Sequence, residues 1–149
     1  MLKEMFSSEA RANLGETLDE VYDKKMPVII KKKVAGGSKD FIFISKEVFN
    51  DFLNDIDFSI NVFNEDDGSI TLELEELELI SNGDTLETAT EELVDDLIIY
   101  MGEYIENIQL YSITPNRKEH LKYIIKATIY EDKDSLIDSF KYIYQNYFF

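Results

Sequence analysis

Hydrophobic residues recur along this chain with two periods, and each change of period marks a new element. Between residues 10 and 22 the apolar positions Ala10, Leu14, Leu18, Val21 and Tyr22 stand three and four apart, the spacing of one helix face. Ser7 or Ser8 stands where an N-cap belongs, and Glu9 follows at the positive end of the helix dipole. "DKKMP" closes that helix. "VIIKKKV" (28–34) and "FIFI" (41–44) then read as strands joined by the loop "AGGSKD". Ser45 is placed to cap a second helix with Val48, Phe49, Phe52, Leu53 and Ile56 on its apolar face. The spacing therefore predicts an αββα unit in residues 1–55, small enough that oligomerisation would help it to be stable.

From Phe58 the period shortens to two. Phe58, Ile60 and Val62 alternate with polar residues, "NEDDG" turns the chain, and Ile70, Leu72 and Leu74 alternate again. A break at Glu75-Glu76 precedes a third strand, "LELI". In "NGDTLE" Gly83 turns the backbone, Asp84 reads as an N-cap, and Glu87 completes a capping box. The helix that follows buries Leu86, Ala89, Leu93, Leu97, Ile98, Met101, Ile105 and Ile108 on this reading. Pro115 lies in a loop, "YIIKATIY" (123–130) reads as a fourth strand, and "DSLIDSFKYIYQNYFF" has helical spacing at Leu136, Ile137, Phe140, Ile143, Tyr144 and Tyr147. Residues 58–149 thus predict βββαβ with a C-terminal helix, and the whole chain an α+β protein of two units.

Charge separates the same two units. Of the formal −16, residues 1–49 contribute +1 and residues 50–149 contribute −17. A polyanion is able to approach only the first; the second favours a basic protein partner. The chain has no cysteine and one histidine, His120, expected on a loop or strand end, so disulfides and thiolate metal sites are excluded and a zinc site is disfavoured. No secretory signal or bilayer-length apolar run is present, and a cytoplasmic protein without membrane attachment is expected.

"SSEARANLGETLDEVYDKKMPVII" followed by "FIFISKEVFNDFL" resembles the Phd/YefM group of bacterial antitoxins over about the first 53 residues. That resemblance implies a homodimer with antiparallel helices and a small sheet, which binds operator DNA and represses its own operon. The matching segment places Ser8 and Arg11 at DNA phosphates and base edges, with Asn13 in the same motif and Leu14 in the core. This chain departs from the family in its hairpin, where "KKKVAGGSKD" replaces a short R-H-G-K-P turn. "EDDGSITLELEELELISNGDTLETATEEL" is similar to the HicB-like antitoxin module, a partial RNase H fold of βββαβ order; the chain has "EELELI" where that family carries P-D-L-P-G-C.

The candidate residues follow. Ser8, Arg11 and Gly15 share one helix stripe, and a hydroxyl, a guanidinium and a bare backbone suit a phosphate backbone or guanine edge. Lys31 and Lys33 share one strand face; the lysines of the hairpin either neutralise phosphates or guard an edge strand. DNA contact is accordingly expected at Ser8, Arg11, Asn13, Lys31 and Lys33. The carboxylates of the long helix fall at (i, i+4) on an outward face, a solvated acidic surface in preference to a metal cluster. Nothing in the sequence calls for catalysis, a cofactor or a metal. The resemblance makes that acidic face a binding surface for a basic toxin, expected at Glu91, Asp95 and Asp96. Six of nineteen aromatics crowd residues 140–149, which adds Tyr144, Tyr147 and Phe148 to the expected toxin contacts. A RelE-type mRNA-cleaving ribonuclease is the expected toxin, with a HicA-type toxin as the alternative. The rival of another class is a metal-dependent RNase H-like nuclease.

Overall fold

The structure, a computed structural model, describes the backbone of residues 1–148 and the side chains of residues 1–145. It divides into a first unit, Met1–Asp55, and a second from Ile56 onward.

The first unit is built on a three-stranded sheet in the order β1-β2-β3, with β1 (Lys3–Phe6) parallel to β2 (Val28–Val34) and β2 antiparallel to β3 (Gly37–Phe43). β1 was not legible in the sequence, because a four-residue strand shows too little alternation to stand out. Its presence covers β2 as far as Lys31; Lys32 and Lys33 lie beyond β1, and Lys39 stands on the edge strand β3. The hairpin is also tighter than expected: Val34 pairs with Gly37, so Ala35 and Gly36 alone make the turn, and Gly36 takes the left-handed φ of 83° that favours glycine.

The expected single helix after Phe6 is two. α1 (Ser7–Ala12) has Phe6, not a serine, at its N-cap position, with no side-chain cap. Asn13 then breaks the helix at φ −122° and ψ 37°, and α2 (Leu14–Lys24) resumes beyond it. α3 (Lys46–Asn54) forms as its cap predicts, Ser45 Oγ accepting from the Val48 N–H at 3.3 Å. The core is small: Met5, Ala10, Val21 and Val28 are buried, with Ile30 and Phe43 packed against them. Leu14, read from the sequence as core, is half exposed, and Leu18 and Tyr22 are exposed with it.

The second unit has an antiparallel meander of β4 (Ile60–Asn64), β5 (Ile70–Leu74) and β6 (Leu79–Gly83), with a 3-10 turn at Glu75–Leu77 where the sequence breaks its alternation. One face of this sheet is covered by α4 (Leu86–Glu106) and α7 (Lys133–Phe148), so Leu72, Leu74, Leu93, Leu97 and Phe140 are fully enclosed. The cap of α4 sits one residue later than predicted. Thr85, not Asp84, accepts from the Thr88 N–H at 3.1 Å, and the Thr88 hydroxyl accepts from the Thr85 N–H at 3.0 Å. Gly83 is required by close approach, since a Cβ there would meet the Ala89 nitrogen and Thr88 Oγ1 at 2.5 Å.

The expected fourth strand is a helix. α5 (Ile108–Tyr111) follows α4, and residues 121–127 form α6 (Leu121–Ala127). A short apolar run suits either period; here Ile124 and Ala127, three apart, are both buried in the core with Leu121 beside them, which is a helix face. The second unit is therefore βββα followed by further helices. Its long helix buries Ala89, Leu93 and Leu97 as expected, with Leu86 and Met101 packed against the core, and buries Val94, Tyr100 and Tyr104 besides; Ile98 and Ile105 are exposed, as is Ile108 in α5.

Candidate functional site

Two surfaces carry the residues singled out by the sequence. On the first unit, Ser8 and Arg11 are both exposed, one turn apart on α1. Asn13 is exposed but partly occupied, its amide donating to the Glu9 carbonyl at 3.3 Å to finish α1. Lys31 and Lys33 do share a face of β2, as alternation requires. Lys31 Nζ lies 2.7 Å from the Glu4 carboxylate, and Lys33 Nζ stands 4.7 Å over the ring of Phe6, the residue from which α1 springs. Two of the five expected residues are thus already engaged with β1, and Ser8 and Arg11 present the open polar stripe.

On the second unit, Glu91 and Asp96 are exposed on α4, while Asp95 is held by Lys133 at 2.6 Å. Tyr144, expected as a toxin contact, is only 4% exposed: its hydroxyl lies 3.1 Å from Thr90 Oγ1, which itself donates to the Leu86 carbonyl at 2.6 Å. Its ring instead forms one wall of a cavity of about 680 Å³ between the sheet, the start of α4 and the end of α7. Val62, Ile70 and Leu86 supply the apolar lining, Asn64 and Gln145 the polar edge, and Glu87 and Lys141 face one another at 3.6 Å. No sequence signal marks this cavity, because its walls come from four elements more than eighty residues apart at their extremes. Tyr147 and Phe148 lie outside the described side chains. Among the described residues no group of three or more His, Asp or Glu is placed to hold a metal.

These surfaces can be set beside known proteins. A PHD-like family model, described as an antitoxin of RelE / RelB toxin-antitoxin systems, matches residues 1–142. The chain belongs to this antitoxin family. The fold is similar to that of a crystal structure described as the antitoxin part of a proposed toxin/antitoxin system from Syntrophomonas wolfei subsp. wolfei, with a TM-score of 0.78 and 24% identity over 93% of this chain and 96% of that one. No curated protein matches the chain significantly.

Membership implies a toxin as the partner of this antitoxin. Its two units offer such partners very different surfaces. The first leaves Phe6, Leu14, Leu18, Tyr22, Phe41, Ile42 and Phe52 exposed, a large apolar area for 55 residues. The second is strongly acidic, with an apolar stripe of Ile98, Ile105 and Ile108 along α4 and α5. No helix among the described residues is long and apolar enough to cross a membrane.

The antitoxin also contains a polar cluster that sequence reasoning missed. Arg117 stacks on the rings of Tyr100 and Tyr111, at 5.5 and 4.5 Å, and donates to the Tyr100 hydroxyl at 3.2 Å. Tyr104 donates to the Arg117 carbonyl at 2.9 Å, and Tyr111 to Glu103 at 2.5 Å. Burial pushes the Tyr100 and Tyr104 hydroxyls above the ordinary phenol value and keeps the His120 imidazole below its own. These contacts fasten the irregular segment after α5 to α4. The cluster is a structural lock between two stretches, and only the regular four-residue spacing of Tyr100 and Tyr104 hints at it.

Proposed function

We propose that this antitoxin divides its work between its units. The first dimerises and binds operator DNA, repressing its own operon; the second neutralises a basic toxin of the RelE type by covering it. The observation that carries the reading is the partition of charge and apolar surface. A near-neutral unit with Ser8 and Arg11 open on one stripe tolerates a phosphate backbone, while a unit carrying nearly all the excess acid would be repelled by one. The PHD-like label of the matched family supports the first assignment, and its RelE / RelB description the choice of toxin. The helical α6 removes the closing strand of the HicB-like order, so the toxin-binding role rests on the acidic surface of the second unit and not on that resemblance.

Neutralisation on this reading requires no chemistry. Glu91 and Asp96 attract the lysines and arginines with which a ribonuclease holds RNA, which speeds encounter and blocks the RNA site. A gel shift of the promoter region tests the DNA half: Arg11→Ala should weaken binding about tenfold or more at constant salt, the loss expected for one arginine reading a base edge. Equal affinity of variant and wild type would overturn the assignment.

A further inference from the structure

The cavity of the second unit has apolar walls and lies in a unit of strongly acidic composition. Val62 and Ile70 lie on the neighbouring strands β4 and β5, Leu86 opens α4, and the Tyr144 ring is held against them through Thr90. This wall is formed by the chain alone, so filling it costs little ordering. Among the described lining residues Lys141 is the one cation, and Glu87 faces it. Close to the lining residues along the chain are Glu65 and Asp66, directly after Asn64, and Asp84 and Glu91 on either side of Glu87, all exposed.

We infer that this cavity is an anchor pocket for the toxin, receiving an aliphatic or aromatic side chain that projects from a lysine- or arginine-rich segment of that partner. The inference rests on the reading of the second unit as the toxin-binding half, and it names the place where binding energy concentrates. A cavity of about 680 Å³ holds one large side chain together with part of its neighbours. The amides of Asn64 and Gln145 at its edge are suited to the peptide groups that carry it. Charge chooses the occupant: a second copy of this acidic unit would set carboxylates against carboxylates, whereas a basic segment is attracted to the unit as a whole. Buried apolar anchors ringed by polar contacts carry most of the energy of protein interfaces.

The test uses the whole 149-residue chain and a RelE-type toxin that co-purifies with it. Asn64→Trp and Gln145→Trp place a large ring at the cavity mouth from exposed positions. Calorimetry should show the dissociation constant raised about thirtyfold by either change, with thermal melting unaltered. Methyl NMR of wild type should show the Val62, Ile70 and Leu86 signals shifting when toxin is added; this reading stands even where a tryptophan variant misfolds. Folded variants that bind as tightly as wild type, or methyl signals that do not move, would overturn the pocket. The double variant Glu91→Lys/Asp96→Lys separates this outcome from failure of the parent reading. If it weakens binding while the pocket variants do not, the acidic-surface reading survives and the pocket falls; if neither weakens binding, both fall.

Discussion

The Tyr100 hydroxyl lies 2.7 Å from His120 Nδ1, both residues being buried. Arg117 is always a donor and takes one lone pair of that hydroxyl, so the Tyr100 hydroxyl is shared between a guanidinium and an imidazole, and the direction of its bond to Nδ1 follows the His120 tautomer. Protonating His120 would make both ring nitrogens donors and set a second positive charge near Arg117.

A pH dependence follows. Burial, reinforced by Arg117 and opposed by Glu78, holds the His120 pKa below its ordinary value of about 6.5. The unfolded chain thus takes up the proton first. Stability contributed by neutral His120 is complete above about pH 6.5 and is lost as pH falls through that value toward the depressed one. Urea midpoints of wild type should drop between pH 7.5 and 5.5, and the drop should shrink in His120→Gln.

Gly83→Ala should destabilise the second unit by about 1–3 kcal/mol, the usual penalty for forcing a methyl into a filled space. The added Cβ would stand 2.5 Å from the Ala89 backbone nitrogen, an atom fixed inside α4. Thermal melting measures the loss, and an unchanged midpoint would show that the start of α4 is looser than its capping box indicates.

Leu14, Leu18 and Tyr22 stand four apart on α2 and are all exposed, so one substitution reaches the middle of the stripe. If dimerisation covers this face, Leu18→Glu should give a monomer by analytical ultracentrifugation and lose operator binding with it. A variant that remains dimeric would move the interface elsewhere on the first unit.

Glu20 ties β1 to α2, with Lys3 at 2.6 Å and Lys24 at 2.8 Å from its carboxylate oxygens. Hydrogen bonds from Lys24 and Lys3 lower its pKa to about 2. Its contribution is present above the ordinary glutamate value of about 4.3 and is lost as pH falls from there toward the lowered one. NMR titration of the Glu20 carboxyl should show this low midpoint, and Lys3→Met should raise it; high salt should reduce the difference, because the pair is solvated.

Elements whose period persists could be read directly from the residues. The alternation of Ile60 to Leu74 makes β4 and β5, Ser45 caps α3, and the long apolar repeat after Leu86 makes α4. Ser8, Arg11, Glu91 and Asp96 were identifiable as polar surface positions because their spacing set them apart from the apolar faces. These are local properties, carried by neighbours within one or two turns.

Other features depended on what each segment packs against. Lys3–Phe6 becomes a strand only because β2 offers it hydrogen bonds, and residues 121–127 become a helix because the core takes Ile124 and Ala127 together. Leu14 and Ile98 have apolar neighbours at helical spacing yet stay exposed, since periodicity tells which residues share a face and not whether anything covers it. The cavity lined by Val62, Ile70, Leu86 and Tyr144 is the extreme case. Local spacing records the periods, the cap at Ser45 and the separation of charge; which faces are covered follows from packing, because covering a face needs contacts between distant segments that no local spacing carries.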